Sequence, residues 1–229
     1  MIKAVFFDMN ETLLDTNLLK RKFRKYFEDE MVFKYWFTKL LHYSTVMGSM
    51  GEYADFAQLS KVSLETVFLE SGLKLTKEAS NEILGTFKDL EPYKDVKEAL
   101  SILRKNKIKV IPVSNSSFLM MKEQLTNANI LELVDVYYSV DDVAVYKPFA
   151  PVYLHVAKKE ELKTSEIVMV ATHDWDLFGA KKVGLTTAYI KRKETVYNPY
   201  YLKADLSSDN LIELVNKIIC LNDKAKIKE

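Results

Sequence analysis

Met1-Ile2-Lys3-Ala4-Val5-Phe6-Phe7-Asp8-Met9-Asn10-Glu11-Thr12 opens the chain, and its reading decides the fold. From Ile2 to Phe7 the run is apolar, β-branched and aromatic, with Lys3 as its only charge. A run of that kind predicts a strand buried on both faces. It stops abruptly at Asp8. Open α/β sheets place their active sites at the carboxyl ends of such strands. Asn10 and Thr12 follow at alternate positions, so a carboxylate, an amide and a hydroxyl share one strand end. Taken alone, Asp8 reads equally well as a cap for the next turn or helix.

Outward from this stretch, residues 15 to 90 change character. Asp15 or Thr16 suits a helix cap, followed by apolar residues at helical spacing through Leu18, Leu19, Phe23, Tyr26 and Phe27. Three more helical patterns follow: from Val32 to Met47, from Phe56 to Phe68, and from about Thr76 to Phe87. Nothing there alternates as a strand does. Pro92 marks a boundary, after which the two patterns alternate. Strands are predicted at Ile108–Val113, Val134–Ser139, Ile167–Ala171 and Thr186–Ile190. Helices are predicted between them and from Leu206 to Ile219, with a charged, fraying tail from Asn222. Strands alternating with helices predict an α/β fold: a Rossmann-like, doubly wound, mainly parallel sheet. The core comprises residues 1–14 and 92–229, and a helical cap, 15–91, is inserted into it.

Composition narrows the function. The 229 residues carry 33 basic and 32 acidic side chains, a net charge of +1, and no stretch approaching a membrane span. Neither nucleic acid nor a membrane is expected as a partner. The lone Cys220 excludes an internal disulfide and, with no signal-like leader, suits a cytoplasmic protein. A homodimer is compatible with the sequence.

Polar groups at the ends of neighbouring strands converge on one crevice in a doubly wound sheet. Four sets qualify: Asp8, Asn10 and Thr12; Ser114 and Asn115; Lys147; and His173 with Asp176. Singly, Ser114 and Asn115 read as turn formers, Lys147 as a solvated loop lysine, Asp176 as a helix cap and His173 as a loop histidine. Their shared placement after four strands favours a site. An aspartate beside a lysine stays ionised and can act as a nucleophile, while strand-end hydroxyl and amide groups suit an anion.

These motifs resemble the haloacid dehalogenase superfamily. Phe6-Phe7-Asp8-Met9-Asn10-Glu11-Thr12-Leu13-Leu14-Asp15 resembles its first motif and Val113-Ser114-Asn115 its second. Lys147-Pro148 resembles the third and Trp175-Asp176-Leu177-Phe178-Gly179-Ala180 the fourth. The chain looks most like the L-2-haloacid dehalogenase subgroup, which Trp36, Leu41, Tyr53-Ala54-Asp55-Phe56 and Tyr153 also match. The resemblance implies that Asp8 displaces halide from a small 2-haloalkanoic acid and that water then hydrolyses the resulting ester, with no cofactor or metal. Lys147 and Asp176 would be catalytic beside Asp8. Thr12 and Ser114 would hold the substrate carboxylate, Tyr153 would line the site, and Trp36, Phe37, Leu41 and Phe56 would close over the substrate, a small organic acid.

Four positions depart from the subgroup. Phe37 stands where it has a halide-receiving arginine, His173 where it has asparagine, Ala171 where it has serine and Asn10 where it has tyrosine. Lys39 or His42 could compensate for the arginine, and His173 could donate to an anion or activate water. The superfamily's magnesium-dependent phosphatases carry aspartates at the places of Asn10 and Thr172, so a small-molecule phosphatase using Mg2+ is the second reading. A non-catalytic binder of small acids is the third.

Overall fold

The computed structural model describes the backbone of residues 1–226 and side chains as far as 222. Its centre is a six-stranded sheet in the order β5-β4-β1-β6-β7-β8. The strands are β1 (Ala4–Phe7), β4 (Lys109–Ser114), β5 (Tyr138–Ser139), β6 (Ile167–Ala171), β7 (Thr186–Ile190) and β8 (Leu206–Ser208). Every pairing in it is parallel. All four residues of β1 are buried, as are all five of β6, because helices cover both faces. From β1 the chain crosses to β4 and β5 on one side, then returns to β6, β7 and β8 on the other. This makes β1 the switch point, where the crossovers diverge and leave a crevice at the strand ends.

Between β1 and the return of the chain at residue 91 lie four α-helices: α1 (Asn17–Phe23), α2 (Met31–Ser49), α3 (Phe56–Glu70) and α4 (Lys77–Gly85). Asp55 caps α3 by accepting from Gln58 N at 2.8 Å, and Thr76 caps α4 by accepting from Ala79 N at 3.1 Å. A two-stranded antiparallel ribbon, β2 (Leu14–Asp15) with β3 (Glu91–Pro92), joins the first strand's exit to the return of the chain. Tyr146 clips the helical layer to the sheet layer. Its hydroxyl donates to Ala54 O (2.6 Å) and accepts from Ala54 N (2.9 Å).

The remaining helices are α5 (Val96–Lys105), α6 (Phe118–Asn127), α7 (Ala150–Lys159), α8 (Asp174–Lys182) and α9 (Leu211–Lys226). None of the described helices is long and apolar enough to cross a membrane.

Three local expectations are corrected. The strand expected from Val134 is only the two residues of β5. The Asp135 carboxylate accepts from Val110 N (2.8 Å) while Asp135 N donates to Val110 O (3.0 Å), so a side chain replaces ladder pairing there. The helix expected from Leu206 starts at Leu211, because Leu206–Ser208 extends the sheet beside β7. Asn222 does not begin a frayed tail: its amide exchanges hydrogen bonds with both backbone groups of Ile2 (2.5 and 2.9 Å), and α9 runs on to Lys226. The last three residues of the expected tail lie outside the described residues.

Trp36 is a fourth correction. It is fully buried inside the helical layer among Phe23, Phe33 and Phe87, and its indole N–H donates to Ser60 O at 3.2 Å. It therefore supports the layer and does not face a substrate. Trp36→Ala is expected to cost about 3–5 kcal/mol, the usual range for emptying a large aromatic site. Urea unfolding followed by circular dichroism measures it, and a loss below 1 kcal/mol would contradict this placement.

Candidate active site

The register of the sheet builds the site. Phe7 lies level with Pro112 on β4 and Val170 on β6, so Asp8, Ser114-Asn115 and Thr172-His173 emerge side by side. Asp8 N still donates to Val170 O (3.1 Å), which fixes its backbone before the turn. Lys147 arrives from the loop before α7. Its backbone N–H donates to Asn115 Oδ1 at 2.8 Å, and Pro148 after it packs on Gly179 of α8. A Cβ at Gly179 would fall 2.3 Å from the Pro148 carbonyl oxygen, so glycine is required for α8 to approach this loop.

Lys147 Nζ, almost wholly buried, bridges two carboxylates: Asp8 Oδ1 at 2.8 Å and Asp176 Oδ2 at 2.7 Å. Tyr153 OH donates to Asp176 Oδ1 at 2.5 Å. The second oxygen of Asp8 has two partners, the Thr12 hydroxyl at 2.7 Å and His173 Nδ1 at 3.0 Å. Thr12 is oriented in turn by Thr172 N, which donates to its Oγ1 at 3.0 Å. The other ring nitrogen of His173 lies 3.0 Å from Glu11 Oε2, and Lys193 Nζ donates to that same oxygen at 2.9 Å.

Charge follows from these contacts. Burial alone would raise the Asp8 carboxyl, but Lys147 and His173 outweigh it and hold the group far below the usual carboxylate range. Burial would likewise depress Lys147, yet Asp176 and Asp8 keep it raised and charged. At Asp176 burial prevails over Lys147, with the Asp8 charge adding to it, and its carboxyl is raised. Glu11 is lowered to about 2 despite burial, chiefly by its hydrogen bond to His173. Burial would lower His173, but the two carboxylates it touches raise it to about 9. At neutral pH the floor therefore holds ionised Asp8 beside two cations.

The crevice above Asp8 is lined by Asn10, Phe37, Leu41, Phe56, Ser114, Asn115, Lys147, His173 and Trp175. Of the thirteen residues picked from the sequence, eleven are thus brought together at or beside Asp8, Thr12 and Asp176 among them. Besides Trp36, Tyr153 is the remaining one and stands behind Asp176. Thr12 is fully buried with its hydroxyl on Asp8, and Tyr153 is buried with its hydroxyl on Asp176. Both hydroxyls hold carboxylates of the site. Lys39 does not replace the missing arginine: it pairs with Glu70 at 3.1 Å and lies over the Tyr35 and Tyr43 rings. Glu11 and Lys193 were not expected. Glu11 sits in a turn at φ 62°, and a single charged residue in a turn carries no periodic signal.

Asn10 Oδ1 accepts from Gln124 Nε2 (3.0 Å) and Asn115 Oδ1 from Lys147 N, which assigns both amide groups and turns their NH2 donors to the crevice. Ser114 Oγ accepts from Ser116 N at 3.1 Å, which leaves its own O–H free to donate. Three neutral donors thus line a pocket walled by aromatic and aliphatic side chains, a combination suited to a small carboxylic acid.

An ionised aspartate at the switch point of a parallel sheet, under a helical layer, is the arrangement of one class of hydrolase, and the family match shows that the chain belongs to it. The sequence model of the haloacid dehalogenase-like hydrolases matches residues 2–184. Among curated proteins, (S)-2-haloacid dehalogenase 1 of Pseudomonas sp. strain CBS-3 is 31% identical over 193 residues, spanning 83% of this chain and 85% of that enzyme. (S)-2-haloacid dehalogenase 2 of the same strain is 27% identical over 217 residues, spanning 94% and 95%. The solved L-2-haloacid dehalogenase of Xanthobacter autotrophicus superposes with a TM-score of 0.87 at 26% identity, covering 95% of this chain and 98% of that one. The same enzyme with chloropropionic acid covalently bound superposes with a TM-score of 0.88.

Proposed function

We propose that this chain hydrolyses small (S)-2-haloalkanoic acids to 2-hydroxy acids and halide, without a metal ion. The observation that carries this is Asp8, an ionised carboxylate on the crevice floor with Lys147 against one oxygen and His173 against the other. Ser114, Asn115 and Asn10 take the substrate carboxylate. Phe37, Leu41, Phe56 and Trp175 cover its hydrocarbon and exclude bulk water. Asp8 attacks the halogen-bearing carbon, the carbon–halogen bond breaks, and halide leaves an ester on Asp8. Water then attacks the ester carbonyl carbon and the 2-hydroxy acid departs. Residues 15–91 act as the cap that closes this space over the core formed by 1–14 and 92–229.

Magnesium-dependent phosphate chemistry fits these residues poorly. It needs several hard oxygen ligands around the ion. Here Thr12 and His173 occupy one Asp8 oxygen and Lys147 the other. Gln124 takes the Asn10 oxygen, and the residue at 172 is a threonine. Among the described residues no cluster of three His, Cys, Asp or Glu side chains is arranged to hold a metal.

Halide release from L-2-chloropropionate, measured with a chelator present, tests the proposal. Steady release by the wild type and none by Asp8→Asn is the expected result. Magnesium-dependent release of phosphate from p-nitrophenyl phosphate, with no halide from any 2-haloacid, would replace it with the phosphatase reading.

A further inference from the structure

His173 has a position that displacement of halide does not use. Its ring lies between Asp8 and Glu11, stacked on Trp175 with centroids 5.2 Å apart and facing Phe37 at 6.2 Å. Both nitrogens are engaged, one by each carboxylate, so neither has a lone pair free to take a proton from water. That excludes a base at this position and leaves a doubly protonated ring with two N–H donors.

The two oxygens of Asp8 are unequal. Oδ2 accepts from both Thr12 and His173, whereas among the described residues Oδ1 accepts from Lys147 alone. A carboxylate oxygen has about two in-plane acceptor sites. Oδ2 has both filled, and Oδ1 keeps one free for attack on the substrate. Once Oδ1 is alkylated, Oδ2 becomes the carbonyl oxygen of the ester. Water attacking that ester drives negative charge onto Oδ2. Two donors already stand there at 2.7 and 3.0 Å, the range that effective oxyanion donors occupy.

We propose that His173 is a catalytic residue of the ester-hydrolysis step, in which it and Thr12 stabilise the oxyanion on Asp8 Oδ2, and that Glu11 keeps the ring protonated for that step. The proposal rests on the dehalogenase reading and extends it. Glu11 is necessary because alkylation removes the charge of Asp8, and with it half of the ring's reason to stay charged. Glu11 keeps its own charge throughout the cycle. It is held by Lys193 at 2.9 Å and Thr16 at 3.4 Å, in a left-handed backbone conformation that non-glycine residues rarely adopt. An energetically unfavourable conformation maintained at a site points to a function for the side chain it presents.

The step balances without further reagents. Water's oxygen bonds to Asp8 Cγ and the Cγ–Oδ1 bond breaks. The 2-hydroxy acid leaves with Oδ1 and one hydrogen of the water. The second hydrogen is released as a proton, the Asp8 carboxylate is restored, and His173 keeps both N–H groups.

The test follows L-2-chloropropionate turnover by halide release and intact-protein mass, for wild type, His173→Ala and Glu11→Gln. His173→Ala is expected to release one halide per chain in a burst near the wild-type rate. Steady turnover should then fall about 10²-fold, the usual cost of one oxyanion donor, while the ester adduct accumulates. A burst slowed as much as the steady rate with no adduct, or an unchanged steady rate, would overturn the assignment. A wild type that releases no halide would instead remove the dehalogenase reading itself. Glu11→Gln still offers Nε2 an oxygen but no charge. The charged groups around the ring are then Asp8 and Lys147 on the crevice side, and Lys20, Lys34, Asp174, Lys193 and Glu194 lining the cavity on the other. This variant should accumulate adduct with a midpoint at lower pH than wild type, because the buried ring then has no carboxylate to hold its proton once Asp8 is alkylated. Superimposable pH profiles would refute the role given to Glu11.

Discussion

Lys147→Met is expected to abolish measurable turnover and to destabilise the chain by about 3–5 kcal/mol, the cost of breaking a buried ion pair from one side. The ammonium touches Asp8 and Asp176 at 2.8 and 2.7 Å, and almost none of it reaches solvent. Methionine fills a similar volume but leaves two buried carboxylates with no cation between them. One must then take a proton, and Asp176 is the one, because burial and the Asp8 charge already raise its carboxyl. The stability loss can be separated from the catalytic loss. In Lys147→Met/Asp176→Asn the unpaired charge is gone. Replacing both members of a buried pair is often close to neutral, so most of the stability should return. Halide release should not, since nothing then orients Asp8 Oδ1. Urea unfolding midpoints and halide release at pH 7 on the two variants decide this. A single variant as stable as wild type would mean that the lysine is not buried between charges in solution.

The Lys147 bridge also marks how far the sequence could be read. Asp8, Ser114-Asn115 and His173 were legible because each follows an apolar run that can only be an interior strand of a two-faced sheet. The crossovers of such a sheet leave little choice about where those strand ends meet. The helical layer was legible for the same reason, from apolar residues at helical spacing. What each polar side chain bonds to was not legible. The motifs place Thr12 and Tyr153 at the site without showing that their hydroxyls donate to Asp8 and Asp176. A spacing rule places a residue near a site but does not say which acceptor is nearest. Trp36 failed for a related reason: a tryptophan on an amphipathic helix points inward, and inward here means the helical layer's own core. Glu11 and Lys193 come from a turn and a charged loop, where no period exists to read. Leu206–Ser208 is too short to alternate, and its strand character comes only from β7 beside it.

Stability between pH 6.5 and 9 should fall by about 3 kcal/mol, and His173 should account for the fall. The ring's folded pKa is raised to about 9, against 6.5 for an unhindered histidine. A group whose folded pKa is raised contributes fully below its unfolded value and loses that contribution as pH rises through the folded one. The window is therefore pH 6.5 to 9, and each unit is worth about 1.4 kcal/mol at most. The acid limb has the opposite sign. Asp8 and Glu11 are lowered, so their contributions are present above their unfolded values near 4 and are lost as pH falls. These limbs describe one cluster seen from three partners and do not add. The raised lysine and tyrosine groups, among them Lys147 and Tyr153, begin to lose their contributions only above about pH 10, beyond the histidine window. Urea unfolding of the wild type at half-unit pH intervals should thus give a maximum between pH 4.5 and 6.5 and a decline up to 9. His173→Ala should be nearly level across that decline. A wild type equally stable at pH 6.5 and 9 would mean that the imidazole is neutral at rest. In that case the two carboxylates around it could not both be ionised, and the charge pattern assigned to the crevice floor would be wrong at its centre.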